Sequence, residues 1–175
     1  MKSRNVLSLI ALAITGAAQA ITVPAAPVSF SVLHGVRESG TFLSLIAADN
    51  NRLTIASRPG PPRGLAPHLA SVEITLLQTP VPFMTARRIR YQFEGSNSVN
   101  GGCFFASFNF QANGYFPPMV FNLPAVESSR LLTLSTQFTA RQFVSPTGLL
   151  KVRITGTGAT PFRLRLDQVL ALVSD

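Results

Sequence analysis

With 175 residues and a single cysteine, the chain is long enough to bury one full-sized core and can form no internal disulfide, so packing must hold it together. Fifteen lysines and arginines face seven aspartates and glutamates, a formal charge of +8. The arginines are scattered, with one cluster at Arg87-Arg88-x-Arg90, and no recognised binding module accompanies them; this argues against specific nucleic-acid recognition and leaves only general attraction to anionic polymers.

In chain order, Met1–Ala20 has a basic start (Lys2, Arg4), an apolar run from Val6 to Ile14 and a small-residue end at Ala18-Gln19-Ala20. This is the layout of a signal peptide, with its h-region expected as a short helix and cleavage expected before Ile21. The run is too short to span a bilayer, which takes roughly 20 apolar residues. The expected destination is the medium, the periplasm or the cell surface, by bacterial-type export. The mature part, Ile21–Asp175, is expected to be one domain, and no C-terminal transmembrane anchor or sorting tail is expected.

Beyond Ile21, short runs of alternating polar and apolar residues are divided by Gly, Pro, Asn and Ser clusters, the pattern of antiparallel β structure. Strands are predicted at Val28–Val32, Arg52–Ala56, Ser71–Leu77, Arg88–Phe93, Cys103–Phe110, Pro118–Asn122, Leu131–Phe138, Leu149–Thr155 and Arg163–Leu172. That makes about nine, enough for an all-β sandwich of two sheets, although a barrel would suit the same periodicity. Ile89, Tyr91 and Phe93 should share one face, Val152 and Ile154 should point inward beside outward Lys151, Arg153 and Thr155, and Leu164, Leu166 and Val169 should face the core. Asp49-Asn50-Asn51 should turn the chain. Arg58–Pro67, with four prolines and two glycines, should be an exposed loop, and Gly95–Gly102 a hairpin or long loop.

Catalytic patterns are absent: two histidines and seven carboxylates are spread along the chain with no paired-His motif, Cys-x-x-Cys or Gly-x-Ser-x-Gly elbow, so no enzyme activity is expected. Cys103, between Gly102 and Phe104, is expected to be a buried apolar residue. Seven of the fifteen aromatics lie within eighteen residues: Phe104, Phe105, Phe108, Phe110, Tyr115, Phe116 and Phe121. Alternation puts Phe104, Phe108 and Phe110 on one face and Phe105, Ser107 and Asn109 on the other. Either both sets are core, the reading we favour, or Phe105 with Tyr115 or Phe116 forms an exposed stacking surface.

Three groups of residues carry a family resemblance: Val32-Leu33-His34-Gly35-Val36 with Glu38-Ser39-Gly40 and Ser44-Leu45; Asp49-Asn50 leading into Leu53; and Phe143-Val144, Gly148, Val152-Arg153 and the terminal Leu166-Asp167-Gln168-Val169. Over nearly the whole mature chain this resembles a jelly-roll domain of secreted bacterial proteins that is similar to carbohydrate-binding modules of the galactose-binding-like type. Phe108-Asn109 and Tyr115 match the family pattern. Phe110 stands where the family often has a tryptophan, and the chain has none, which removes the usual indole platform for sugars.

The resemblance implies a jelly-roll sandwich and a secreted, non-catalytic module for polysaccharide or cell-envelope material. The alternatives are a structural or adhesive protein acting by self-association, and a non-specific binder of anionic polymers. Asp49 and Asp167 lie in motifs shared with that family and adjoin amide residues; they either supply oxygens to a calcium ion or, as we favour, close an Asx turn and satisfy backbone donors. No other cofactor is expected. For a ligand, the loops carrying Arg58, Arg63 and Tyr115 are the expected site, arginine forks meeting sugar hydroxyls or carboxylates and the ring stacking on a sugar face.

Overall fold

The structure is a computed structural model that describes residues 22–62, 64, 66–78, 87–134 and 139–174. The signal-peptide expectation and Arg63 lie outside them. Eleven strands are described: β1 (Thr22–His34), β2 (Val36–Ser39), β3 (Leu53–Ala56), β4 (Arg58–Pro59), β5 (His68–Gln78), β6 (Arg88–Asn97), β7 (Gly101–Asn109), β8 (Gly114–Leu123), β9 (Ser128–Thr133), β10 (Leu149–Gly158) and β11 (Arg163–Ser174). The pairing is antiparallel throughout, with 3-10 turns at Phe42–Leu45 and Ala140–Phe143.

One layer is built on β11, which pairs with β6 along its length, with β3 at its start and with the first residues of β1 at its end; β9 and β2 extend this layer at β6 and β3. The other layer runs β1-β5-β10-β7-β8. β1 belongs to both, because Thr22–Ala25 lie against β11 and Ala25–His34 against β5, so one strand turns the corner of the sandwich.

The period-two pattern explains the core. Val72, Ile74 and Leu76 of β5, Leu150, Val152 and Ile154 of β10, Ile89, Tyr91 and Phe93 of β6, and Leu164, Leu166 and Val169 of β11 are all fully buried between the layers. Rings bridge the layers: Phe105 lies 5.0 Å from Tyr91 and 6.2 Å from Phe93, and Phe121 lies 5.8 Å from Phe93.

Several sequence expectations change. Among the described residues there are eleven strands rather than about nine, because β2 and the two-residue β4 also join the ladder. β4 sits inside the predicted Arg58–Pro67 loop, pairing Arg58 with Leu69 and Pro59 with His68; proline is tolerated in so short an edge piece. The Gly95–Gly102 loop shrinks to Ser98–Asn100, since β6 and β7 run into it from both sides, and β9 occupies Ser128–Thr133, upstream of the Leu131–Phe138 expectation. Glycine permits the close approach at the start of β7: a Cβ on Gly101 would lie 2.2 Å from the Thr157 carbonyl oxygen.

Candidate functional site

The outer face of the β1-β5-β10-β7-β8 layer carries the side chains that alternate with its core residues. These are Ser29 and Ser31 of β1, Ser71, Glu73 and Thr75 of β5, Lys151, Arg153 and Thr155 of β10, Phe104, Ala106 and Phe108 of β7, and Tyr115 of β8. Phe104 and Phe108 are half-buried.

The alternation expected in β7 holds, and so does the burial of Phe105; what changes is that the Phe104–Phe108 side faces outward. Phe105 is fully buried, so it offers no stacking surface, and Ser107 and Asn109 go inward with it. They are tolerated there because each is satisfied. Ser107 Oγ donates to Tyr91 Oη at 2.7 Å, and Asn109 Oδ1 accepts the Gln111 and Ala112 N–H groups at 3.0 and 2.9 Å, closing the turn into β8. A period of two fixes which residues share a face but not which face is inward. Phe104 and Phe108 therefore face out, where both had been expected in the core.

At the β8 end of this face the side chains interlock. The Tyr115 hydroxyl donates to Glu73 Oε2, the Arg153 guanidinium carbon sits 4.0 Å over the Tyr115 ring, and Phe108 meets that ring edge-on at 5.2 Å. Lys151 Nζ lies 3.8 Å from Glu73 Oε1 and 5.8 Å over the Phe108 ring. Partial burial, then the hydrogen bond to the Glu73 carboxylate, raises the Tyr115 pKa, so the phenol stays protonated and keeps donating. Beside this cluster, Ser71 Oγ and Thr155 Oγ1 pair at 2.8 Å.

Of the expected ligand-binding residues, Tyr115 is half-buried within this cluster and Arg58 is exposed. Arg58 lies on the same outer face beside Leu69, while Tyr115 is level with Thr75. Between β4 and β8 lie β5, β10 and β7, so the two are roughly 19 Å apart across the sheet and about 20 Å apart along the strands. They do not converge on one sugar. Sequence reasoning does not find Glu73, Lys151, Arg153, Phe104 or Phe108 as site residues; the signal available is the Lys151-x-Arg153-x-Thr155 alternation, which by itself reads as a solvated face.

No protein-family profile matches the sequence, and no curated protein matches it either. Solved structures do. A variant of a family 29 carbohydrate-binding module complexed with mannohexaose matches with a TM-score of 0.52 and 9% identity, over 88% of this chain and 92% of that one. The chain has the fold of a carbohydrate-binding module. A family 4 carbohydrate-binding module matches at a TM-score of 0.48 with 13% identity (83% and 78% covered), and the N-terminal cellulose-binding domain of Cellulomonas fimi β-1,4-glucanase C at 0.46 with 13% identity (82% and 87% covered). No helix among the described residues is long and apolar enough to cross a membrane.

On the opposite, β6-β11 side of this module, Asp167 occupies a bulge between Leu166 and Gln168. It is 2% exposed; Oδ2 accepts the Asn50 N–H at 3.0 Å, and Oδ1 has no hydrogen-bond partner. One oxygen each of Glu94, Glu127 and Asp167 lie within 4.8 Å of one another. Arg52 grips both Glu127 oxygens and also reaches Asn50 Oδ1, and its pKa is raised, first by the Glu127 hydrogen bond. Three carboxylates against one guanidinium, with a buried oxygen left over, fit a hard cation such as calcium. Asp49 stands apart from that trio: its Oδ1 accepts the Asn51 N–H at 3.0 Å, the Asx turn the sequence suggested.

Proposed function

We propose that the protein is an exported, non-catalytic jelly-roll module that binds polysaccharide or cell-envelope glycan along the outer face of β1-β5-β10-β7-β8. The observation that carries this reading is the composition of that face: half-exposed rings at Phe104, Phe108 and Tyr115 beside a field of hydroxyls and hydrogen-bonding charges. Rings offer apolar surface to sugar C–H faces, while hydroxyls and charged groups meet the sugar hydroxyls. The fold it shares with a module solved with mannohexaose supports the same ligand class.

The distance between Tyr115 and Arg58 suits an extended chain lying diagonally over the sheet better than a single terminal sugar. Self-association through strand edges is the weaker alternative. β8 ends the layer and carries Pro117-Pro118, which have no N–H to donate to an added strand.

A glycan array followed by affinity electrophoresis tests the proposal. Tyr115→Ala should abolish retention on the glycan that the parent protein binds while the protein remains folded; retention equal to the parent would place the ligand elsewhere. Export is tested by the intact mass of secreted protein, which should begin at Ile21. Retention of Met1 would contradict it.

On the opposite side, a calcium ion held by Glu94, Glu127 and Asp167 would serve as a structural staple, since that cluster lies away from the proposed glycan face. Bound there, it would supply positive charge to the buried Asp167 oxygen and tie β6, the segment before β9 and β11 together.

A further inference from the structure

Resting on the sheet-face reading above, we infer that the glycan is acidic, a uronic-acid-type polysaccharide whose carboxylate docks on Arg153. The charges on the face lead there. Its carboxylate, Glu73, is already spent: it accepts the Tyr115 hydroxyl with one oxygen and pairs with Lys151 through the other. Arg153, next along β10 and directly across from Glu73 in the ladder, forms no salt bridge among the described residues.

Its guanidinium carbon instead sits 4.0 Å from the Tyr115 ring centroid, and its Nε is buried with no hydrogen-bond partner. A guanidinium held against a ring still has more N–H donors than the Tyr115 contact uses, and its terminal nitrogens can receive a planar carboxylate in a two-pronged fashion. A neutral sugar hydroxyl would leave that charge uncompensated in a partly dehydrated setting. Lys151 on one side and Arg58 at the far corner add positive charge to the same face, so among the described residues Arg58, Lys151 and Arg153 there oppose Glu73. The hydroxyls of Ser31, Thr75 and Thr155 on the same face are suited to the sugar's own hydroxyls.

The alternative cause of acidic binding is charge alone, because the whole chain is basic. Position separates the two. Arg87, exposed immediately before β6 of the other layer, carries the same charge away from this face.

The experiment is calorimetric titration of the folded, full mature protein with oligogalacturonate, with the methyl-esterified form of the same oligomer, and with mannohexaose. The parent should bind the free acid, and Arg153→Gln should weaken it by roughly tenfold or more, the loss expected for a charge-assisted contact. Arg153→Lys should recover only part of the loss, because it keeps the charge without the fork. Arg87→Gln should change affinity by less than about twofold at physiological salt. Equal binding of the acid and its ester, or binding of mannohexaose alone, would overturn the acidic class and leave the sheet-face reading standing. Equal losses for Arg153→Gln and Arg87→Gln would reduce the effect to net charge and overturn the assignment to Arg153. Failure of all three sugars to bind would overturn both readings together.

Discussion

A buried carboxylate survives only where its charge is answered, and Asp167 is answered on one oxygen only. Asp167→Ala should therefore lower unfolding free energy by about 2 kcal/mol through loss of the charged hydrogen bond to the Asn50 N–H. Chemical denaturation checks this, and an unchanged transition would contradict it. The orphaned oxygen leads to a companion expectation: calcium added to chelator-treated protein should raise Tm, and Asp167→Asn should remove most of that rise. No rise in the parent would show that Arg52 alone balances the cluster.

Two other buried groups set an alkaline limit at the same scale. Burial pushes the Cys103 thiol from 9.0 up to about 12, against a smaller lowering by Arg130, and raises the Tyr91 phenol above 10.0, against the Ser107 hydrogen bond. Both groups are neutral when protonated, and the folded state holds the proton more tightly than the unfolded chain. Their contribution to stability is thus fully present below about pH 9 and is lost as pH climbs toward the folded values. Denaturation midpoints should be level through neutrality and fall above pH 9. Folded protein should also resist thiol alkylation at pH 8, and rapid labelling there would contradict the burial of Cys103.

Among elements, β7 makes the sharpest prediction. Phe105→Ala removes a ring packed on both Tyr91 and Phe93 and should cost about 3–5 kcal/mol, whereas Phe104→Ala, on the outer face, should cost much less and should weaken glycan binding. Equal destabilisation by the two variants, measured by thermal melts, would contradict the facing assigned to this strand.

β7 also marks where legibility ended. The alternations in β6, β10 and β11 could be read correctly because charged or polar residues interrupt one face: Arg88, Arg90 and Gln92 beside Ile89, Tyr91 and Phe93, for instance. In β7 rings stand on both faces, and the polar pair Ser107 and Asn109 looked solvated although Tyr91 and the following turn satisfy them inside. β2 and β4 escaped notice because four residues and two residues are too few to show a period. The site was dispersed for a similar reason. Glu73, Phe108, Tyr115 and Arg153 come from four strands that are neighbours only through the ladder order β5-β10-β7-β8, and no spacing in the sequence encodes that order. Asp167, by contrast, was visible as a lone carboxylate inside an apolar strand.

At the scale of the whole molecule, one layer carries the proposed ligand on its outer face while the other holds the acidic cluster on its own outer side, so binding and stapling are separated by the full thickness of the core. Glycan is proposed to lie across the β1-β5-β10-β7-β8 face. The most direct measurement is an amide NMR titration of the mature protein with mannohexaose and with oligogalacturonate. Shifts should concentrate at Ser71–Thr75, Phe104–Phe108, Tyr115 and Lys151–Thr155 for whichever sugar binds. Shifts confined to the Asn50–Arg52 turn and β9, or no shifts with either sugar, would contradict that placement.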